Sequence, residues 1–146
     1  MTFRHILVPL DFSSSAEQAL ECAMELVEKF QARLTLLHVI HIPVTSEVNL
    51  AAYLAEMDTS AQLGMDEYLK RVETAGHTVE TIILRGTPWH EIIETAKTHH
   101  VDLIIMGTHG RTGLQHFMLG SVAEKVVRLA PCTVMVTREQ AAETST

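Results

Sequence analysis

Cysteine is scarce, with two in 146 residues, Cys22 and Cys132. Two thiols make no disulfide framework, and each reads as a small buried hydrophobe. Long apolar runs are missing as well. Nothing approaches the roughly 20 consecutive apolar residues of a membrane-spanning helix, so no membrane insertion is expected. Basic residues are outnumbered, 11 Lys and Arg against 18 Asp and Glu, for a net charge of -7. So acidic a chain lacks the surface that neutralises a phosphate backbone, and nucleic acid is not an expected partner. A small anionic ligand stays open, because backbone N–H groups alone can hold one. The sequence carries no internal repeat, no G-x4-G-K-[ST] loop and no G-x-S-x-G elbow. Its opening residues lead into an apolar stretch that runs only from Ile6 to Leu10. That is shorter than the ~7 residues of the briefest signal-peptide core, and a cytoplasmic location is expected.

What is present is ordinary globular material, 47% hydrophobic and 20% charged. A chain this long buries roughly 70% of its unfolded surface as one domain and needs no metal or disulfide to fold. That domain is expected over residues 1–138, with 139–146 as a small, polar, frayed tail.

Apolar runs alternate with helical patterns. Ile6–Leu10 reads as a strand buried on both faces. Ser14 and Glu17 have the spacing of a capping box, and Ala16, Ala19, Leu20, Ala23, Val27 and Phe30 extend a helical stripe over 14–30. Leu34–Ile40 is a second strand. Leu50, Leu54, Met57, Ala61, Met65, Tyr68, Leu69 and Val72 trace a long helix, weakened at Gly64 and ended near Gly76. Val79–Leu84 is a third strand. Thr87 then caps a helix with Pro88 at its first position. Leu103–Met106, a helix over 121–129 and Thr133–Val136 complete the series. Such alternation predicts an α/β fold, an open doubly wound five-stranded parallel sheet with helices on both faces. Ligands bind such sheets where the winding reverses, here expected between the first and fourth strands. That puts Asp11 and the segment 107–121 on opposite lips of one crevice.

Segment 107–121 is the most informative. It leaves a buried strand, passes Gly107, Gly110 and Gly113, and enters a helix at Gly120-Ser121. The glycines let backbone approach a ligand closely. The helix start offers unpaired N–H groups and a favourable dipole to an anion. The plainer readings are loop flexibility for the glycines and a capping box of Ser121 with Glu124.

The pattern Gly107-x2-Gly110-x9-Gly120-Ser121 resembles the nucleotide-binding signature of the universal stress protein family, in its ATP-binding branch. The resemblance runs along the chain, through the stretches beginning at Ile6, Leu36, Arg85, Asp102 and Ala130. It implies a Rossmann-like sheet in the order 3-2-1-4-5 and a bound ATP or AMP. It also implies roles. Pro9 and Leu10 would line the nucleoside, Val39 would meet adenine through its backbone, and Met106 would pack on the base. Gly107, Gly110, Gly120 and Ser121, with the N–H of Val122, would hold the phosphates. Asp11 would contact the ribose or a divalent ion, Mg2+ or Mn2+, near them. Ala123 departs from members that carry Thr or Ser there, so one phosphate contact is expected to be missing.

Other groups carry less. Arg111, His109 and His116 flank the glycine loop, where an arginine or histidine is as readily solvated. His99-His100 are adjacent and point apart, which does not make a zinc site. A signalling receiver domain would need an acidic pair after the first strand and an Asp after the third, but Arg85-Gly86 follows the third. The expected function is an adenine-nucleotide-binding module of the stress response. The alternative is a slow ATPase or phosphotransferase using the same site, for which no lysine sits in the glycine loop and no base besides Asp11 is evident. Thr133–Thr137, apolar and at an expected sheet edge, offers a surface for a homodimer, which the family resemblance also implies.

Overall fold

Ile6, Leu7 and Val8 are all fully buried. Successive strand residues point to opposite faces, so this strand must be covered on both. The computed structural model describes residues 1–42, 49–108 and 119–138. Along the chain run β1 (His5–Pro9), α1 (Ser14–Phe30), β2 (Arg33–His41), α2 (Leu50–Thr74), β3 (Val79–Gly86), α3 (Pro88–Thr98), β4 (Leu103–Gly107), α4 (Ser121–Leu129) and β5 (Thr133–Thr137). The strands form one sheet in the order β3-β2-β1-β4-β5, every pair parallel. The expected fold class and strand order hold. β1 stops one residue short of the expected strand, at Pro9.

The two faces have separate cores. Ile6, Val8, Leu34, Leu36, Leu103 and Ile105 pack under α1 and α2 through Ala19, Leu20, Met65 and Val72. Leu7, Leu37, Ile104 and Met106 pack under α3 and α4 through Ile92, Ala96, Ala123 and Val126. Each fully buried aliphatic side chain contributes about 2 kcal/mol, so the central strands carry much of the stability.

The start of α1 differs from expectation. The N-cap is Ser13, not Ser14: its Oγ accepts from the Ala16 N–H at 3.2 Å. Asp11 is the reason. Its Oδ1 accepts from the Ser13 N–H at 3.0 Å and from the Ser13 hydroxyl at 2.5 Å, which holds Ser13 extended just before the helix. Glu17, one position too late for a capping box, instead accepts from the Tyr68 hydroxyl at 3.3 Å and pairs with Arg71. Gly64 lies mid-helix in α2, where glycine costs about 1 kcal/mol against alanine. A Cβ there would come within 2.9 Å of the Phe12 ring, so the glycine admits that ring.

Polar groups close the other end of the sheet. Asp102 accepts from the backbone N–H groups of Arg4 and His5 at 2.8 and 3.1 Å. His5 is buried between the His99 carbonyl at 3.0 Å and the Thr35 hydroxyl at 2.7 Å. A carbonyl only accepts, so Nδ1 carries the proton and Nε2 accepts from Thr35. Burial pushes its pKa below the usual histidine value.

Candidate functional site

β1 and β4 are neighbours, but the chain leaves β1 toward β2 on one side and continues from β4 toward β5 on the other. The helices therefore separate beyond the carboxyl ends of these two strands. A crevice of about 470 Å³ opens there. It is lined by Pro9, Leu10 and Asp11 at the end of β1, by Leu37 to His41 on β2, by Met106 to Thr108 at the end of β4, and by Gly120 to Ala123 at the start of α4. Asp11 and the ends of segment 107–121 thus share the expected crevice. Of the residues singled out from the sequence, Pro9, Leu10, Asp11, Val39, Met106, Gly107, Gly120, Ser121 and Val122 all line it. Gly110, His109, Arg111, Gly113 and His116 lie outside the described residues.

The start of α4 is tied to the sheet. Thr108 donates its N–H to the Thr137 carbonyl at 3.1 Å, and its own carbonyl accepts from the Gly120 N–H at 2.7 Å. Gly120 is the N-cap, and the first bond within the helix runs from the Glu124 N–H to the Gly120 carbonyl at 2.9 Å. By helix geometry the N–H groups of Ser121, Val122 and Ala123 have no carbonyl within the helix to meet. Such N–H groups and the helix dipole favour negative charge at this end. Ser121 is the first helical residue rather than a cap, and Glu124 pairs with Arg128 at 2.8 Å. The expected alternative of a Ser121–Glu124 capping box is therefore not formed. Ala123 is buried against the α3/α4 core.

Val39 presents a different chemistry. The Leu10 N–H donates to the Leu37 carbonyl at 2.7 Å, so the backbone groups of Leu37 face β1. With a period of two, those of Val39 face the same side. There β1 has already ended, at Pro9. One donor and one acceptor therefore look past the end of a strand toward the crevice.

Gly107 has another reason to be glycine than the one expected. A Cβ at this position would lie 2.0 Å from the Ser15 Oγ and 2.8 Å from its backbone carbon. The missing side chain makes room for the start of α1.

Sequence reasoning missed one wall of the crevice. Phe12 and His38 line it, as do Tyr53, Met57, Ser60 and Ala61 on α2. Phe12 is left-handed, with φ of 65°, and its ring stacks on His38 at 4.4 Å and on Tyr68 at 5.8 Å. Burial together with the nearby Glu17 carboxylate pushes the Tyr68 hydroxyl up to about 12. The Tyr53 hydroxyl donates to the His41 carbonyl at 3.1 Å. Met57 and Ala61 belong to the apolar stripe of a helix, and a stripe does not reveal which part of it meets a crevice.

Residues outside the crevice are plainer. Both cysteines are free and half-buried, and burial pushes both thiols up, away from the reactive thiolate. Lys125 lies over the Trp89 ring at 5.0 Å. Among the described residues no cluster of three or more His, Cys, Asp or Glu could hold a metal ion. Among the same residues no helix is long and apolar enough to cross a membrane.

Comparison with known proteins decides the family. The model of the universal stress protein family matches residues 2–138. The chain belongs to the universal stress protein family. Universal stress protein YxiE of Bacillus subtilis is 37% identical over 147 residues, covering 93% of this chain and 99% of that one. Among solved structures, MJ0577 of Methanocaldococcus jannaschii superposes with a TM-score of 0.88 at 34% identity, over 97% of this chain and all of its own. The universal stress protein UspA of Lactobacillus plantarum gives 0.85 at 32% identity, over 94% and 99%. The shared fold is the five-stranded parallel sheet described above.

Proposed function

We propose that this universal stress protein binds an adenine nucleotide, ATP or AMP, in the β1/β4 crevice. The observation that carries the reading is the meeting, in one crevice, of the Val39 backbone edge and the first turn of α4. A donor beside an acceptor matches the edge of adenine, whose exocyclic N6 donates and whose ring N1 accepts. Guanine presents the opposite pair on that edge. Pro9, Leu10 and Met106 supply apolar surface for the nucleoside. Asp11 would meet the ribose, and Gly107, Gly120, Ser121 and Val122 the phosphates, a role that the family resemblance extends to Gly110. Two more distant members of the fold support the ligand class. One from Arabidopsis thaliana was solved with AMP bound, at 19% identity and a TM-score of 0.72. Another was solved in complex with cAMP, at 21% identity and 0.73. At such identity they speak for the fold, and the residues of this chain must carry the rest.

Among the described lining residues Asp11 is the one carboxylate, too few to hold Mg2+ or Mn2+ by itself, and its Oδ1 is already engaged with Ser13. A divalent ion would be held chiefly by the nucleotide's phosphates, with Asp11 beside it. The same Oδ1, already accepting from the Ser13 N–H and hydroxyl, is tied to capping α1. The reading is therefore a cytoplasmic binding module of the stress response rather than an efficient enzyme. We further propose that the protein pairs through β5, which is an edge strand.

Thermal melting tests the nucleotide. At a ligand concentration 100-fold above Kd the stabilisation is about 2.7 kcal/mol, which for a domain this size raises Tm by roughly 5–10 °C. ATP with magnesium, or AMP, should produce that shift and GTP much less. No shift with any adenine nucleotide up to millimolar concentration would refute the reading.

A further inference from the structure

In a continuing parallel ladder Leu10, which lies opposite His38, would give its carbonyl to the N–H of Val39. The register demands it: Pro9 is opposite Leu37, and the Leu10 N–H already meets the Leu37 carbonyl. Instead the Leu10 carbonyl accepts from the imidazole Nδ1 of His38 at 2.6 Å. We infer that His38 is a positioning residue of the nucleotide site, whose side chain occupies the Leu10 carbonyl and so keeps the Val39 N–H available to the ligand base.

The ring is held for this task. The carbonyl can only accept, so Nδ1 carries the proton. Phe12 stacks on the imidazole at 4.4 Å with 29° between the planes. The Phe12 ring is itself backed by Tyr68 and seated over Gly64. Its left-handed backbone, φ of 65°, breaks the extended run immediately after Leu10 and Asp11. A bulky residue seldom adopts that conformation unless its surroundings hold it. Two devices thus act at one place. β1 ends at Pro9 and the chain turns at Phe12, and His38 satisfies the carbonyl that the ended strand would leave for Val39. A parallel sheet uses every such group in its ladder while both strands run on, so an open donor appears only where the neighbouring strand stops and its last carbonyl is turned to another partner.

The inference rests on the proposed nucleotide binding, and its test separates the two. The variants are His38→Leu, which removes the donor, and His38→Asn, whose Nδ2 stands where Nδ1 does. The first measurement is amide hydrogen exchange of Val39 in the unliganded protein, resolved by NMR. Val39 should exchange freely in the wild type and in His38→Asn. In His38→Leu the Leu10 carbonyl should recapture the Val39 N–H, and the amide should become protected at least roughly tenfold. The second is calorimetric titration with ATP and with ITP, whose base lacks the exocyclic amine. His38→Leu should weaken ATP roughly tenfold, one hydrogen bond's worth, and narrow its advantage over ITP. His38→Asn should restore most of both. A Val39 amide already protected in the wild type, or unchanged exchange in His38→Leu, overturns the inference whether or not nucleotide binds. Equal ATP affinity in the wild type and His38→Leu overturns it too. A wild type that binds neither nucleotide while exchange follows the expected pattern refutes the proposed ligand and leaves the backbone device standing.

Discussion

Gly107→Ala separates two reasons for a glycine. If this residue serves only ligand approach, alanine should leave the unliganded protein alone and weaken nucleotide. The geometry predicts the reverse emphasis. The added Cβ would lie 2.0 Å from the Ser15 Oγ and 2.8 Å from both the Ser15 Cβ and its backbone carbon. Rotation of the Ser15 hydroxyl relieves the first clash. The backbone carbon cannot rotate away, so the first turn of α1 must move. Overpacking of this kind costs about 1–3 kcal/mol, and a clash with backbone belongs at the upper end. An unfolding entropy of about 2 cal/mol/K per residue turns ~2–3 kcal/mol into a Tm loss of roughly 7–10 °C for this chain. The assay is scanning calorimetry without nucleotide. Ser15→Ala combined with Gly107→Ala should recover less than half of the loss, because the hydroxyl is gone but the backbone carbon remains. An unliganded Gly107→Ala protein melting within ~2 °C of wild type would refute the argument.

Other outcomes follow from the same contacts. Gly120→Val should abolish the nucleotide-induced Tm shift while circular dichroism stays native, since the backbone at 120 suits any residue but a branched side chain would stand at the helix start; an unaltered shift counts against the phosphate assignment. His5 has a lowered folded-state pKa, so its contribution is fully present above about pH 6.5 and is lost as pH falls through the folded value. His5→Gln should therefore flatten the acid side of the Tm profile, and identical profiles would contradict this. Val136→Pro tests pairing through β5: the Thr137 carbonyl faces β4, so the N–H of Val136 faces the open edge. Light scattering should fall from twice the 16.2 kDa of one chain to a single chain, and a wild type already monomeric at high micromolar concentration would dismiss the dimer.

The fold was legible because each of its signals is local. Runs such as Leu103–Met106 are too short and too apolar for a surface helix, and stripes such as Ala16, Leu20, Ala23 and Val27 have helical spacing. Their alternation leaves few topologies once crossovers are right-handed. Element ends were less legible. Ser14-Glu17 and Ser121-Glu124 both have capping-box spacing, and neither forms one. At α1 the cap moves back one residue because Asp11 holds Ser13 by two hydrogen bonds. At α4 it moves to Gly120, which the Thr108 carbonyl pins beside β4. Spacing names residues that would fit a cap, but it carries no information on which of them the preceding chain delivers in an extended conformation.

The site divides along the same line. Asp11 and Ser121 could be placed in it because topology brings strand ends and a helix start together, and Pro9 and Met106 because the family resemblance implies them. His38 could not. In the sequence it is one of two polar residues, with Thr35, inside the run from Leu34 to Ile40 that reads as a buried strand. Its part depends on the register that sets it opposite Leu10, and on β1 ending one residue before that. Had β1 continued, the Leu10 carbonyl would belong to Val39 rather than to the imidazole. The same dependence explains why Phe12 bears a left-handed backbone and Gly64 interrupts a helix: one ring needs the space that the other residue vacates. Each is unfavourable by local propensity, and together they hold the turn that follows β1 at the crevice. A sequence pattern read residue by residue scores them as separate local faults, whereas in the folded chain they share one physical cause.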